Sequence, residues 1–140
     1  MAKKGKRVKI IVPILVCIAI TLIYIFWSSP ELKVLDMYVS VANYTGINVG
    51  TDAIWFGTVP PSGTASRIVT LKNFDNWSRW VDIRTEGLNN WVGIESNSFL
   101  LRAGEERNVS IYVVVPKNAE YGNYTGKLYI TFRRVLFGPI

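Results

Sequence analysis

Few side chains in this sequence of 140 residues could do covalent or acid–base chemistry. Histidine is absent, and the single cysteine, Cys17, lies inside an apolar run. There is no glycine-rich phosphate loop, and no two carboxylates fall inward on neighbouring strand patterns. Nucleophilic, general acid–base and phosphate-transfer reactions therefore lack the residues they need, and a non-enzyme without a cofactor is expected. Asn73, Asp75 and Asn76 could offer oxygens to a calcium ion, yet one carboxylate between amides in a polar loop reads more simply as a turn, so no metal is expected. Two sets of binding candidates remain. Trp77 and Trp80, beside Phe74, could make a stacking platform for a sugar or a partner protein, or could instead cover an edge of the fold. Asn43, Asn76, Asn108 and Asn123 each open an Asn-x-Ser/Thr sequon, so glycans are possible there, the plainer alternative being turn and edge asparagines that precede hydroxyls.

The first element that must position these groups is a membrane span. Ile10 to Trp27 reads IIVPILVCIAITLIYIFW, without a charge, and its only hydroxyl-bearing residues are Thr21 and Tyr24. A helix of that length extends about 27 Å, close to the apolar thickness of a bilayer. Lys3, Lys4, Lys6, Arg7 and Lys9 precede it, whereas Lys33 on the other flank is balanced by Glu31 and Asp36. The positive-inside rule then makes residues 1–9 a cytoplasmic basic tail, residues 10–27 a transmembrane signal anchor, and everything after Trp27 extracytoplasmic. Tyr24 and Trp27 fall at the outer membrane interface, and Pro13 lies near the inner end. A cleaved signal peptide shares these regions. Its cleavage site is poor, however: Trp27 and Ser29 are not a small-x-small pair, and cutting near Cys17 to Ala19 leaves only about seven apolar residues. A lipoprotein box before Cys17 is spoiled by Val16, and Lys4-Gly5, similar to the processing site of archaeal pilin-like precursors, is followed by charges where such a helix is already apolar.

The charge balance belongs to this topology. The formal charge is +6, but five of the sixteen Lys+Arg stand before Ile10, leaving eleven against ten Asp+Glu outside. Nucleic-acid binding is not expected from so even a balance. About 110 residues follow the anchor, enough for one compact domain, and it has no cysteine with which to form a disulfide.

After a short linker at residues 28–33, the chain alternates in period two between turn signals. Val34 to Ala42 sets Leu35, Met37, Val39 and Val41 against Asp36, Tyr38 and Ser40. Ala53 to Val59, Ser66 to Asn73, Arg79 to Thr85, Trp91 to Glu95 and Ser98 to Leu101 follow, with Pro60-Pro61-Ser62-Gly63 a strong turn. The clearest strand carries Val109, Ile111, Val113 and Val115 on one face, and Pro116 stops it. The last, about Asn123 to Arg134, aligns Tyr124, Gly126, Leu128, Ile130 and Phe132. Seven or eight short strands and no helical period after Trp27 imply an all-β domain over residues 34–134, an antiparallel immunoglobulin-like Greek-key sandwich. Ala119 to Tyr124 has the form of a tyrosine corner, with Gly126 where an antibody domain places its second cysteine.

Phe56 to Gly63, Arg67 to Asn73, Leu101, Gly104-Glu105, Val109 to Pro116 and Gly122 to Gly126 together resemble the hydin-type and alpha-galactosidase-associated immunoglobulin-like domains of bacterial and archaeal surface proteins. The resemblance spans roughly Ile47 to Phe132. It implies a fold and an extracytoplasmic adhesion or scaffolding setting, and it brings no catalytic residues. Asn76-Trp77-Ser78-Arg79-Trp80 departs from the pattern, as does the placement of one such domain alone on a signal anchor.

The expectation is thus a single-pass cell-membrane protein, N-terminus inside, acting as a non-catalytic accessory or scaffolding subunit with other surface or integral membrane proteins as partners. The alternatives are a structural subunit of an extracellular filament, pilin-like or archaellum-stator-like, and a carbohydrate-binding surface module. Residues 135–140 form an apolar tail whose Val135, Leu136 and Phe137, like Trp77 and Trp80, are candidates for partner contact.

Overall fold

A computed structural model describes residues 4–46 and 53–135. The chain divides into two compact units, Met1–Pro30 and Glu31–Ile140. In the first, helix α1 runs from Lys4 to Trp27 with Pro13 inside it, so Lys4, Lys6, Arg7 and Lys9 fall on its opening turns; Lys3 lies outside the described residues. Within it, Lys9–Trp27 has a mean hydropathy of 2.8 and none of it is buried, so one helix is long and apolar enough to cross a membrane. The Thr21 hydroxyl donates to the Cys17 carbonyl at 2.7 Å, which satisfies it without water. At the other end the Ser28 amide donates to Tyr24 O at 2.9 Å and the Ser29 hydroxyl to Phe26 O at 2.7 Å, and Pro30 follows.

The second unit is built from β strands: β1 (Glu31–Val41), β2 (Ala53–Val59), β3 (Thr64–Lys72), β4 (Arg79–Gly87), β5 (Val92–Ile94), β6 (Ser98–Leu101), β7 (Glu106–Val114) and β8 (Gly122–Arg134). They form a five-stranded sheet in the order β2-β1-β8-β4-β6 and a three-stranded sheet in the order β3-β7-β5. Alternation decides which face is covered. Met37, Val39 and Val41 of β1, Val81 and Ile83 of β4, and Leu128 and Ile130 of β8 meet Leu71 of β3, Val109, Ile111 and Val113 of β7, and Val115 in one buried cluster. The alternation read from the sequence for these strands is the alternation that is buried.

Two features differ from the sequence reading. First, pairing begins at Glu31, opposite Phe132, so the connection after α1 is Ser28–Pro30 and not residues 28–33. Glu31 to Val34 are exposed, so no apolar pattern marks their pairing. Second, the strands are not all antiparallel: β1 and β2 run parallel, Asp36 beside Ala53 and Val41 beside Val59. Parallel neighbours need a returning connection, and the eleven residues between Val41 and Ala53 supply one that a hairpin turn could not. Between β4 and β5, Leu88, Asn89 and Asn90 all hold positive φ (48°, 48° and 60°), which drives the Leu88 side chain into the core.

The register defines two poles. At the Glu31 pole lie the start of β1 and β4, the ends of β8 and β6, and the Lys72–Glu106 ends of β3 and β7; the opposite pole holds Val41, Gly87, Val114 and Gly122. Near that opposite pole β4 and β8 approach so closely that a Cβ on Gly126 would stand 2.6 Å from the Glu86 carbonyl oxygen.

Candidate functional site

The β3–β4 loop at the Glu31 pole carries five of the side chains singled out in the sequence, Asn73 to Trp77, and a buried amide organises it. Asn73 is the one buried polar residue among those described. Its Nδ2 donates to Trp77 O at 2.8 Å, Arg102 O at 3.0 Å and Leu101 O at 3.2 Å, and its Oδ1 accepts the Asp75 amide at 3.1 Å. One side chain thus closes an Asx turn and ties the loop to the β6–β7 turn. Asp75 in turn accepts from the Trp77 indole at 3.2 Å and from the Arg79 guanidinium. Arg79 also pairs with Glu31, which joins the first residue of β1 to the loop. Burial draws the Arg79 pKa down, but its hydrogen bonds to Glu31 and Asp75 more than offset this and leave it above the ordinary value. Of the oxygens that sequence inspection could assign to a calcium ion, Asn73 Oδ1 accepts the Asp75 amide and Asp75 Oδ2 accepts from Trp77 and Arg79, while Asn76 is exposed.

The tryptophans are held separately. Trp77, 38% exposed, has the Arg134 guanidinium 4.8 Å from its ring centre, while Phe74 at 85% is the most exposed aromatic of the loop, with the Lys72 ammonium 5.4 Å from its ring. Trp80 points outward from β4. Its indole donates to the Ser98 hydroxyl at 3.0 Å, Ser98 donates to Asp82 at 2.7 Å, and Arg133 of β8 pairs with the same carboxylate. The hydrogen bonds from Ser98 and then Arg133 hold Asp82 below the usual carboxylate range. A cleft of about 190 Å³ lies between Phe74, Asp75, Arg79, Glu31 and Phe132. Aromatic and cationic groups thus lie together around this cleft.

Asn43, Asn76, Asn108 and Asn123 are all exposed. Asn43 and Asn123 belong to the opposite pole, where Asn123 pairs with Ser40. Asn108 lies on the outer face of the three-stranded sheet and accepts the Thr70 hydroxyl at 2.8 Å. Of the tail, Val135 continues the ladder, its amide donating to Ser78 O at 3.1 Å. Leu136 and Phe137 lie outside the described residues.

Sequence inspection did not single out the outer face of the five-stranded sheet. There Tyr38 and Trp55 stack with ring centres 4.4 Å apart and planes at 18°. Beside them a cleft of about 410 Å³ is lined by Asp36, Tyr38, Glu86, Thr125, Lys127 and Tyr129, and the Tyr129 hydroxyl donates to Glu86 at 2.9 Å. That bond raises the Tyr129 pKa. The signal was present in the aromatics at outward positions of β1 and β2, but their pairing depends on the parallel register. No family model, no curated protein and no solved structure matches the chain.

Proposed function

We propose that this chain is a single-pass membrane protein whose β unit, an immunoglobulin-like Greek-key sandwich, stands outside the cytoplasm as a non-catalytic accessory or scaffolding subunit of a surface assembly. The observation that carries the reading is the unburied apolar helix Lys9–Trp27, which no other described residue of its own unit covers. The five basic residues before Ile10 favour retention of the N-terminus in the cytoplasm, and Tyr24 and Trp27 suit the outer interface. The immunoglobulin-like assignment is supported by two sheets over one core and by the Tyr124 hydroxyl, which donates to Glu120 O at 2.9 Å as a tyrosine corner does. The scaffolding role is supported by three exposed aromatics, Phe74, Trp77 and Trp80, that share the Glu31 pole with the cations Lys72 and Arg134. Glycans on the four exposed sequons fit the same setting. Fractionation tests the reading together with protease added to intact cells. The protein should stay in the membrane pellet and lose its β unit to the protease, and a chain in the soluble fraction, or one fully protected where the envelope admits protease, would refute it.

A further inference from the structure

The pole at which the chain enters the β unit is also the pole of its β3–β4 loop. β1 starts at Glu31, and only Ser28, Ser29 and Pro30 separate it from Trp27, the last residue of α1. Four residue steps, fully extended, reach about 14 Å. The headgroup layer of a bilayer adds about 5–8 Å on each side of the apolar core, so with Trp27 at the outer interface the start of β1 stands among the headgroups or just above them. Chain length alone sets this limit.

Phe74 cannot be far from that point, because it lines the same small cleft as Glu31. Its ring is 85% exposed, and its place is fixed from behind: the preceding residue, Asn73, is buried, and its amide donates to Trp77 O, Leu101 O and Arg102 O. A large ring held outward in this way gains by leaving water. The Lys72 ammonium lies 5.4 Å from the Phe74 ring, and the Arg134 guanidinium lies over Trp77. A ring with a cation at its side suits the headgroup level, where the ring meets the upper acyl chains and the cation meets phosphates. Net charge does not drive the contact. Glu31, Asp75, Glu105 and Glu106 stand at this pole against Lys72, Arg79, Arg102 and Arg134, so a zwitterionic lipid surface is enough.

We propose that the Glu31 pole docks on the surface of the membrane that α1 crosses, with Phe74 and Trp77 set among the phospholipid headgroups. This rests on the membrane-anchored reading. The short tether holds the pole at high effective concentration beside the lipid, so a shallow contact by two rings suffices. The opposite pole, with Val41, Gly87 and Gly122, is then the one turned away from the bilayer. Asn76, on the docked loop, becomes the least open of the four sequons.

Spin labels on the full-length chain in phosphatidylcholine vesicles test this. A nitroxide on the native Cys17 reads the anchor. In chains carrying Cys17→Ser, a nitroxide at Asn76→Cys reads the loop and one at Lys117→Cys, also exposed, reads the opposite pole. Electron paramagnetic resonance compares collisions with oxygen, which concentrates in lipid, against collisions with a water-soluble nickel chelate. The Cys17 label is expected to show the signature of the apolar core, and the oxygen-to-nickel ratio at position 76 to exceed that at 117. Adding Phe74→Ser should lower the ratio at 76 to the value at 117. Equal ratios at 76 and 117, with Cys17 in the core, would overturn docking on lipid, leave the anchor standing and free this pole for a protein partner. A raised ratio at 76 that Phe74→Ser leaves unchanged would show proximity by the tether alone and overturn it as well. Free access of the chelate to the Cys17 label would instead defeat the anchored reading, and the docking with it.

Discussion

Replacing Asn73 with aspartate tests whether the β3–β4 loop hangs on one buried amide. The side chains have the same shape, but Asn73→Asp exchanges an NH₂ that donates to Trp77 O, Leu101 O and Arg102 O for an oxygen facing three carbonyls. Two N–H bonds shared among three acceptors are worth about 1–3 kcal/mol net, and leaving buried acceptors unpaired adds about 1–3 kcal/mol more. An ionised carboxylate beside those oxygens raises the cost further, so roughly 4 kcal/mol of destabilisation is expected, about 15 °C in Tm for a unit of this size. Asn73→Ala, which adds no repulsion, should cost about half as much. The repulsion gives the test its sign. The introduced carboxyl has a folded-state pKa above its unfolded value, so its protonated form is the tolerated one: the penalty relative to wild type should shrink as pH falls from 7 towards 4 and grow as pH rises through the folded pKa. Thermal unfolding of the full chain in detergent, followed by tryptophan fluorescence, reads both quantities, since Trp77 sits on the loop. Equal Tm values for Asn73→Asp and Asn73→Ala at pH 7, or a penalty independent of pH, would refute the assignment of the loop to this amide.

Gly126→Ala should cost about 2 kcal/mol or more, measured by denaturant unfolding, because its Cβ would stand 2.6 Å from Glu86 O, on a stretch so tight that a Cβ on Gly87 would lie 2.9 Å from the Gly126 Cα. Tyr124→Phe removes the hydrogen bond to Glu120 O and should lower stability by about 1 kcal/mol without altering the circular dichroism spectrum. Asp82, held below its usual pKa by Ser98 and Arg133, contributes stability above the unfolded carboxylate value and loses it as pH falls below about 4. Asp82→Asn should accordingly flatten that part of the acid unfolding curve, though only slightly for an ion pair whose arginine is solvent-screened. Changing Lys3, Lys4, Lys6, Arg7 and Lys9 to neutral residues should produce chains of both orientations in a protease-protection assay, because those charges carry nearly all of the flank asymmetry.

The parts of this fold that were legible in the sequence are those in which a single strand reports its own environment. Val109, Ile111, Val113 and Val115 alternate because one side of β7 faces the core, and no knowledge of its neighbours is needed to see it. What escaped depends on pairs. Nothing local distinguishes Glu31 to Lys33 from a linker, since the partner is Phe132 and its neighbours, far along the chain. The parallel seam between β1 and β2 was equally silent, because alternation fixes a face and not a direction. At the candidate site, Asn73 looks like any turn asparagine until its amide is seen among carbonyls from three other positions, and Arg79 looks like an exposed strand cation until Glu31 and Asp75 converge on it. Trp77 and Trp80 drew notice by residue type, but their hydrogen-bond partners, Asp75 and Ser98, could be assigned only from the fold.

The antiparallel zip of β1 against β8 also sets how the unit answers a pull. Force entering through Pro30 meets β1 at Glu31, and the other end of the same ladder, Phe132 to Arg134, lies at that pole. A tug between Pro30 and Val135 opens the ladder from its end, one pair after another, so each hydrogen bond faces the strain alone. A tug between Pro30 and a partner gripping the opposite pole, at the Pro60–Gly63 turn for example, instead slides β1 along its neighbours and strains the whole row of perpendicular bonds together. The same domain is thus a weak link toward its C-terminal side and a strong one toward its far end, and a partner that must be held under tension is best held there.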